Sequence, residues 1–228
     1  MAGKKNSDLI LKVLDVLLIL LVPFGLYMAF IYAPVAKSLG PNQKIFYFHV
    51  AAAWISFFAF FVTFCASIMY LIKDNFVYDD IAESSAEIGL LFCTIVLTTG
   101  PIWGKAAWGA WWTWDPRLTT TAILWFIYVG YLMLRKFIDE DSKRARFAAA
   151  VGIIGFIDVP IVFFSIRIWN NTIHPNVVQK GGGGLHPSML HAMFVALLIF
   201  TLLYLSLLIK RVRLAKAKRR FAALERGL

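Results

Sequence analysis

Apolar positions in this chain run in six long blocks separated by short polar connections, not in the narrow stripes of surface helices. The blocks cover roughly 9–33, 45–72, 82–103, 119–135, 147–167 and 187–209. About 20 apolar residues take a helix across the hydrocarbon core of a bilayer. The pattern therefore predicts an all-α polytopic membrane protein, a bundle of six transmembrane helices. The fourth block is the shortest, and is expected to tilt little or to begin inside the aromatic segment before it. The first block is too long for a cleaved signal peptide, and no small-residue cleavage site follows it before Pro34.

Composition agrees. Of 228 residues, 60% are apolar and 16% charged, against about 45–50% and about 25% in an ordinary soluble domain. That excludes a soluble globular enzyme, a disordered chain and a disulfide scaffold. The reading is one integral-membrane domain over 1–228, with a basic tail at 210–228. Cys65 and Cys93 lie within apolar blocks and read as packing residues. There is no C-x-x-C-H, so the chain is not itself a c-type cytochrome. There is no P-loop and no internal repeat, so any ATP hydrolysis belongs to a partner. The glycine run at 181–184 predicts a flexible loop before the last span.

A net charge of +10 would suggest nucleic acid in a soluble protein. Here topology explains it, and no nucleic-acid partner is expected. Six spans put both termini on one side. Of the 23 basic residues, the connections of the opposite side hold only Lys37, Lys44, Lys105, Arg117, Arg167 and Lys180. The other seventeen flank the termini, the second connection and the fourth. The positive-inside rule places those segments, and both termini, in the cytoplasm, with the tail as an anchor near anionic lipid.

The outer connections collect the unusual side chains. All four histidines, His49, His174, His186 and His191, lie in or beside them. So do most of the eight tryptophans: Trp103, Trp108, Trp111, Trp112, Trp114 and Trp125 fall between 103 and 125, and Trp169 follows later. An aromatic belt would decorate both interfaces. This clustering on one side points instead to a platform for a flat apolar ligand, where each aromatic contact adds roughly 0.5–1.5 kcal/mol beyond area burial. Gly104 and Gly109 allow close approach within the segment. Asp115 before Pro116 suits a helix N-cap, or a partner for Arg117 or an indole N–H. Histidine is the usual axial ligand of haem iron. His49 heads the second span, and either His174 or His186 could oppose it. Arg117, Lys105, Arg167 and Lys44 are candidate partners for haem propionates. Asp158 lies within the fifth span, two residues before Pro160, where proline frees a carbonyl and kinks the helix. Glu87 lies toward the cytoplasmic end of the third span.

The run Trp-Gly-Ala-Trp-Trp-Thr-Trp-Asp-Pro-Arg-Leu-Thr at 108–119 resembles the tryptophan-rich WWD signature of the haem-handling superfamily that supplies cytochrome c maturation. Gly100, Trp103, Gly104 and Lys105 fit its flank. The Asp158-Val159-Pro160 triplet, followed by Trp169 and His174-Pro175, resembles its second landmark, and His49 its first histidine. Six spans in about 230 residues resemble the C component (CcmC) of that system, over essentially the whole chain. The resemblance implies non-covalent, transient binding of b-type haem at the outer, periplasmic face of the inner membrane. His49 and His174 would be the axial ligands of the iron, with Trp103 and 108–115 as the platform. Partners would be an ABC-type complex of ATPase, permease and a small one-span subunit, and a membrane-anchored periplasmic haem chaperone. The role is transfer rather than enzymatic turnover, any lyase-like bond formation belonging to haem and the chaperone's histidine. His186 and His191 would then be structural.

Two other classes fit parts of the pattern. A b-type cytochrome needs histidines paired at depth along helices, whereas His186 and His191 lie about 140° apart on a helix. A haem-free exporter subunit would use the tryptophans only as interface anchors.

Overall fold

The computed structural model describes residues 2–36, 39–169, 174 and 185–225, with side chains from Asp8 onward. Lys37, Lys180 and the glycine run at 181–184 lie outside the described residues, as do 170–173 and Pro175. The described chain is helical with no strand: α1 (Ala2–Tyr27), α2 (Ile45–Lys73), α3 (Phe76–Trp108), α4 (Pro116–Phe137), α5 (Asp141–Phe156), α6 (Asp158–Ile168) and α7 (Pro187–Glu225). A π-helical turn, Met28–Tyr32, extends α1, and a short 3-10 turn, Pro41–Lys44, leads into α2. Six of the resulting rods are long and apolar enough to cross a membrane, α5 and α6 together making one. The chain is a multi-pass membrane protein.

The antiparallel pair α2–α3 is the centre. It turns through Asp74, which caps α2 in the left-handed region at φ 47°, and Asn75, whose side chain accepts the Val77 N–H at 2.9 Å. α7 packs against both α2 and α3, and α1 packs against α7. On the other flank α4 and α5 complete the bundle. Small residues let α5 approach α2 closely: Ala145, Ala148, Ala149 and Gly152 are buried, and a Cβ on Gly152 would lie 2.8 Å from Ser67 Oγ. Phe60 of α2 stacks on Tyr128 of α4 with ring centroids 3.6 Å apart, and the Tyr204 hydroxyl of α7 meets Ser85 Oγ at 2.8 Å.

Three expected boundaries move. α3 begins at Phe76, not near 82, because its polar first turns pair with other helices. Asp79 receives both guanidinium nitrogens of Arg135, at 2.7 and 2.8 Å, and Glu83 receives one at 3.0 Å. α3 also runs on through Pro101 to Trp108, so Trp103 and Trp108 stand on a helix end rather than in a connection. The sixth span does not end near 209: residues 210–225 of the basic tail continue α7 as helix. There Arg211 pairs with Glu87, Lys210 with Asp15 at 2.7 Å, Arg213 with Asp8 at 2.7 Å and Arg219 with Asp80. These pairs bring the start of α1 and the end of α7 to one end of the bundle. Glu87 is thus a partner of α7.

The fifth span breaks where proline was expected to kink it. Ile157 N–H turns back to Ile154 O at 3.1 Å, and α6 starts afresh at Asp158. Below the break α5 packs against α2. Above it α6 packs against α4. The room this leaves beside α2 is where the candidate site lies.

Candidate functional site

At the end of the bundle opposite the termini, a cavity of about 530 Å³ lies among α2, α3, α4, α6 and α7. That is the size range of small-molecule and cofactor sites, about 300–1,000 Å³. Its wall is chiefly apolar, with two histidines and two arginines.

His49 stands on the first turn of α2. Its Nδ1 is 2.9 Å from Thr99 Oγ1, and Thr99 Oγ1 is itself 2.6 Å from Ile95 O. The hydroxyl proton of Thr99 is committed to that carbonyl. Thr99 is therefore the acceptor, and the His49 Nδ1 is the donor. The tautomer follows: Nε2 carries the lone pair. Gly100 gives the ring room, since a Cβ there would lie 3.3 Å from His49 Cε1.

His174 lines the same cavity although 125 positions away in the chain. Its ring meets Trp108 at 5.6 Å and 60°. Burial, with the nearby Arg117 guanidinium second, holds its imidazole down at about 4. It is neutral at pH 7, the state a metal ligand needs.

The tryptophans divide. Trp103 and Trp108 meet edge to face at 5.3 Å and line the cavity with Trp112. The indole nitrogens of Trp103 and Trp112 are buried with no hydrogen-bond partner among the described residues. Unmatched buried donors cost about 1–3 kcal/mol each, and two of them in one wall suit a ligand that carries acceptors. Trp111 and Trp114 are 59% and 77% exposed and stand outside the lining. Trp125 donates to Thr94 Oγ1 at 2.8 Å and holds α4 to α3. Trp54, which sequence reasoning did not single out, lines the cavity from α2. Its only earlier signal was its place five residues after His49.

Asp115 is buried and caps α4, its Oδ1 accepting the Arg117 N–H at 2.9 Å, with Pro116 first in the helix. Arg117 and Arg167 are the basic residues of the lining. Arg117 donates to Val162 O at 3.4 Å and Phe163 O at 3.0 Å, which ties α4 to α6. Lys105 Nζ instead caps its own helix at Gly109 O, and Lys44 Nζ binds Ala29 O and Phe30 O. Neither lines the cavity. His186 accepts the Ser188 N–H at the start of α7, and His191 meets the Tyr32 hydroxyl at 3.2 Å. Of the two candidates to oppose His49, the cavity contains His174.

The profile of the family described as "Heme exporter protein C" matches residues 4–226. The chain belongs to the heme exporter protein C family. It is 36% identical to the "Heme exporter protein C" of Bradyrhizobium diazoefficiens, over 91% of this chain and 79% of that one. It is 31% identical to the protein of the same name from Escherichia coli K12, over 86% and 79%. A "Putative cytochrome c biosynthesis ccmC-like mitochondrial protein" of Marchantia polymorpha is 35% identical over 77% and 74%. Family membership spans the whole cavity-lining sequence, from α2 to α7.

Proposed function

We propose that this chain holds haem as cargo in the cavity and presents it for c-type cytochrome biogenesis. One observation carries the reading. Two histidines 125 positions apart converge, with four tryptophans and two arginines, on one apolar cavity. His49 offers an unprotonated Nε2, and His174 is neutral, so both suit iron. Trp103, Trp108 and Trp112 flank the ring, and Arg117 with Arg167 suit carboxylates at its edge. Haem supplies the iron and the reactive vinyl carbon. This chain's residues bind, orient and release.

The cavity end is the outer, periplasmic face of the inner membrane, and both termini are cytoplasmic, as the basic residues around the termini and the cytoplasmic connections favour. The receiver is a membrane-anchored haem chaperone, and the driving complex an ABC-type ATPase with its permease and small subunit. The family name of the relatives, as exporters, supports such partners. The chain itself is a transfer protein, not an enzyme.

The test is an absorption spectrum of the purified protein, oxidised and reduced, beside His49→Ala and His174→Ala. A bis-histidine haem spectrum in the wild type, lost or altered in both variants, is expected. Unchanged haem content in both variants would overturn the ligand pair. Wild-type protein without haem, from haem-replete cells with its partner subunits, would leave the haem-free exporter reading.

A further inference from the structure

A second cavity, of about 610 Å³, lies at the opposite end of the bundle, between the α2–α3 turn and the last turns of α7. Four cations face it: Lys73, Lys216, Arg219 and Arg220. Its two acids are already engaged, Asp80 with Arg219 and Asp74 with Arg146 at 3.7 Å. Lys73, Lys216 and Arg220 pair with no acid among the described residues. Arg219 is fixed in place. Besides Asp80 it lies 3.7 Å from Asp79 Oδ2, and its guanidinium sits 4.4 Å from the centre of the Phe76 ring. Its Nε is buried with no hydrogen-bond partner among the described residues. The floor is therefore a positioned arginine, ringed by three cations with charge to spare.

The depth of this cavity selects its ligand. Lys73 is 24 residues from His49 along α2, about 36 Å at 1.5 Å per residue. Phe76 is 24 residues from Gly100 along α3, and Lys216 is 23 from Met193 along α7, which give about 36 and 35 Å. Three helices agree. With His49, Gly100 and Met193 of the first cavity near one face of a hydrocarbon core about 30 Å thick, the cations fall in the headgroup layer of the other leaflet. Just toward the core, Leu71 and Ile72 are 48% and 70% exposed, an apolar wall at acyl-chain depth.

We propose that this cavity binds the phosphate of an anionic phospholipid headgroup, held by Lys73, Lys216, Arg219 and Arg220. The site stands apart from the haem cavity and does not depend on the haem reading. It would tie the α7 extension to the α2–α3 turn through the lipid as well as through Asp80.

Native mass spectrometry of the full chain in detergent reads this directly, with phosphatidylglycerol or phosphatidylcholine added. One phosphatidylglycerol should be retained well above phosphatidylcholine. Lys216→Gln with Arg220→Gln should weaken that retention about thirtyfold, since each surface cation is worth about a factor of five. Neither residue makes an ion pair among the described residues, and melting in phosphatidylcholine should be unchanged. The same charge removed elsewhere, in Lys12→Gln with Lys136→Gln, should leave retention intact. Equal retention of both lipids would overturn the proposal, as would equal loss in both double variants. Displacement of the lipid by millimolar inorganic phosphate would assign the site to free phosphate instead. Displacement by an equimolar polyglutamate peptide would assign it to an acidic protein partner.

Discussion

A histidine can ligate iron only through a nitrogen without a proton, so the neighbour of the other nitrogen decides whether it is ready. For His49 that neighbour is Thr99, whose hydroxyl proton is held by Ile95 O. Thr99→Val keeps the shape and removes the acceptor. It should weaken haem binding by roughly 10–100-fold, the usual effect of losing such a partner, while Thr99→Ser should retain it. Haem titration of the three proteins checks this, and equal affinity in Thr99→Val would show that the hydrogen bond orients nothing. Thr99 was not legible beforehand. Threonine inside a span ordinarily bonds its own helix, as Thr94 and Thr98 do here. Only the position of His49 across the α2–α3 interface gives Thr99 a second role. The histidines and tryptophans were legible by type and by side. Which tryptophans line the cavity was not, because the helical end of α3 turns Trp103 and Trp108 inward while Trp111 and Trp114 remain exposed.

Helices were legible from apolar runs, and their ends less so. Apolar counting stops at the first charges, yet α3 and α7 continue past them because acids on one meet bases on the other. The caps that were readable are the ones made locally. Asp115-Pro116 is such a case, since both the side-chain acceptor and the proline act within one turn. Asp115→Ala should cost about 1 kcal/mol through the lost cap. It should also loosen the start of α4, from which Arg117 reaches Val162 O and Phe163 O. Asp115→Asn keeps a capping oxygen and should recover the stability. Thermal unfolding in detergent measures the cap, and loading of the proposed haem chaperone measures the site. If Asp115→Asn recovers stability but not chaperone loading, the carboxylate charge acts in transfer beyond its capping role. If it recovers both, capping is its whole contribution.

Across the whole molecule, the basic residues that suggested topology are also part of the fold. Arg135 sits at the end of α4 and counts in the sequence as one more charge in a connection. In the structure its side chain is 4% exposed, clasped by Asp79 in two parallel hydrogen bonds and by Glu83 in a third. Arg219 of α7 reaches the same Asp79 at 3.7 Å. One buried acid therefore joins α3, α4 and α7, the helices that carry Gly100, Arg117 and Met193 to the cavity at the far end. Charges this deep are costly unless paired, and removing one member strands the others. Arg135→Met should lower stability by about 3–5 kcal/mol, because Asp79 keeps its charge with only Arg219 nearby. Replacing the pair together, Arg135→Met with Asp79→Leu, should recover most of that loss, since an apolar pair of similar volume needs no partner. Unfolding of the three proteins in mixed micelles gives the comparison. A double variant as unstable as the single one would mean that Asp79 matters chiefly for its link to Arg219. In that case Arg219→Gln alone should reproduce the loss, and the clasp at this end would run through α7 rather than α4.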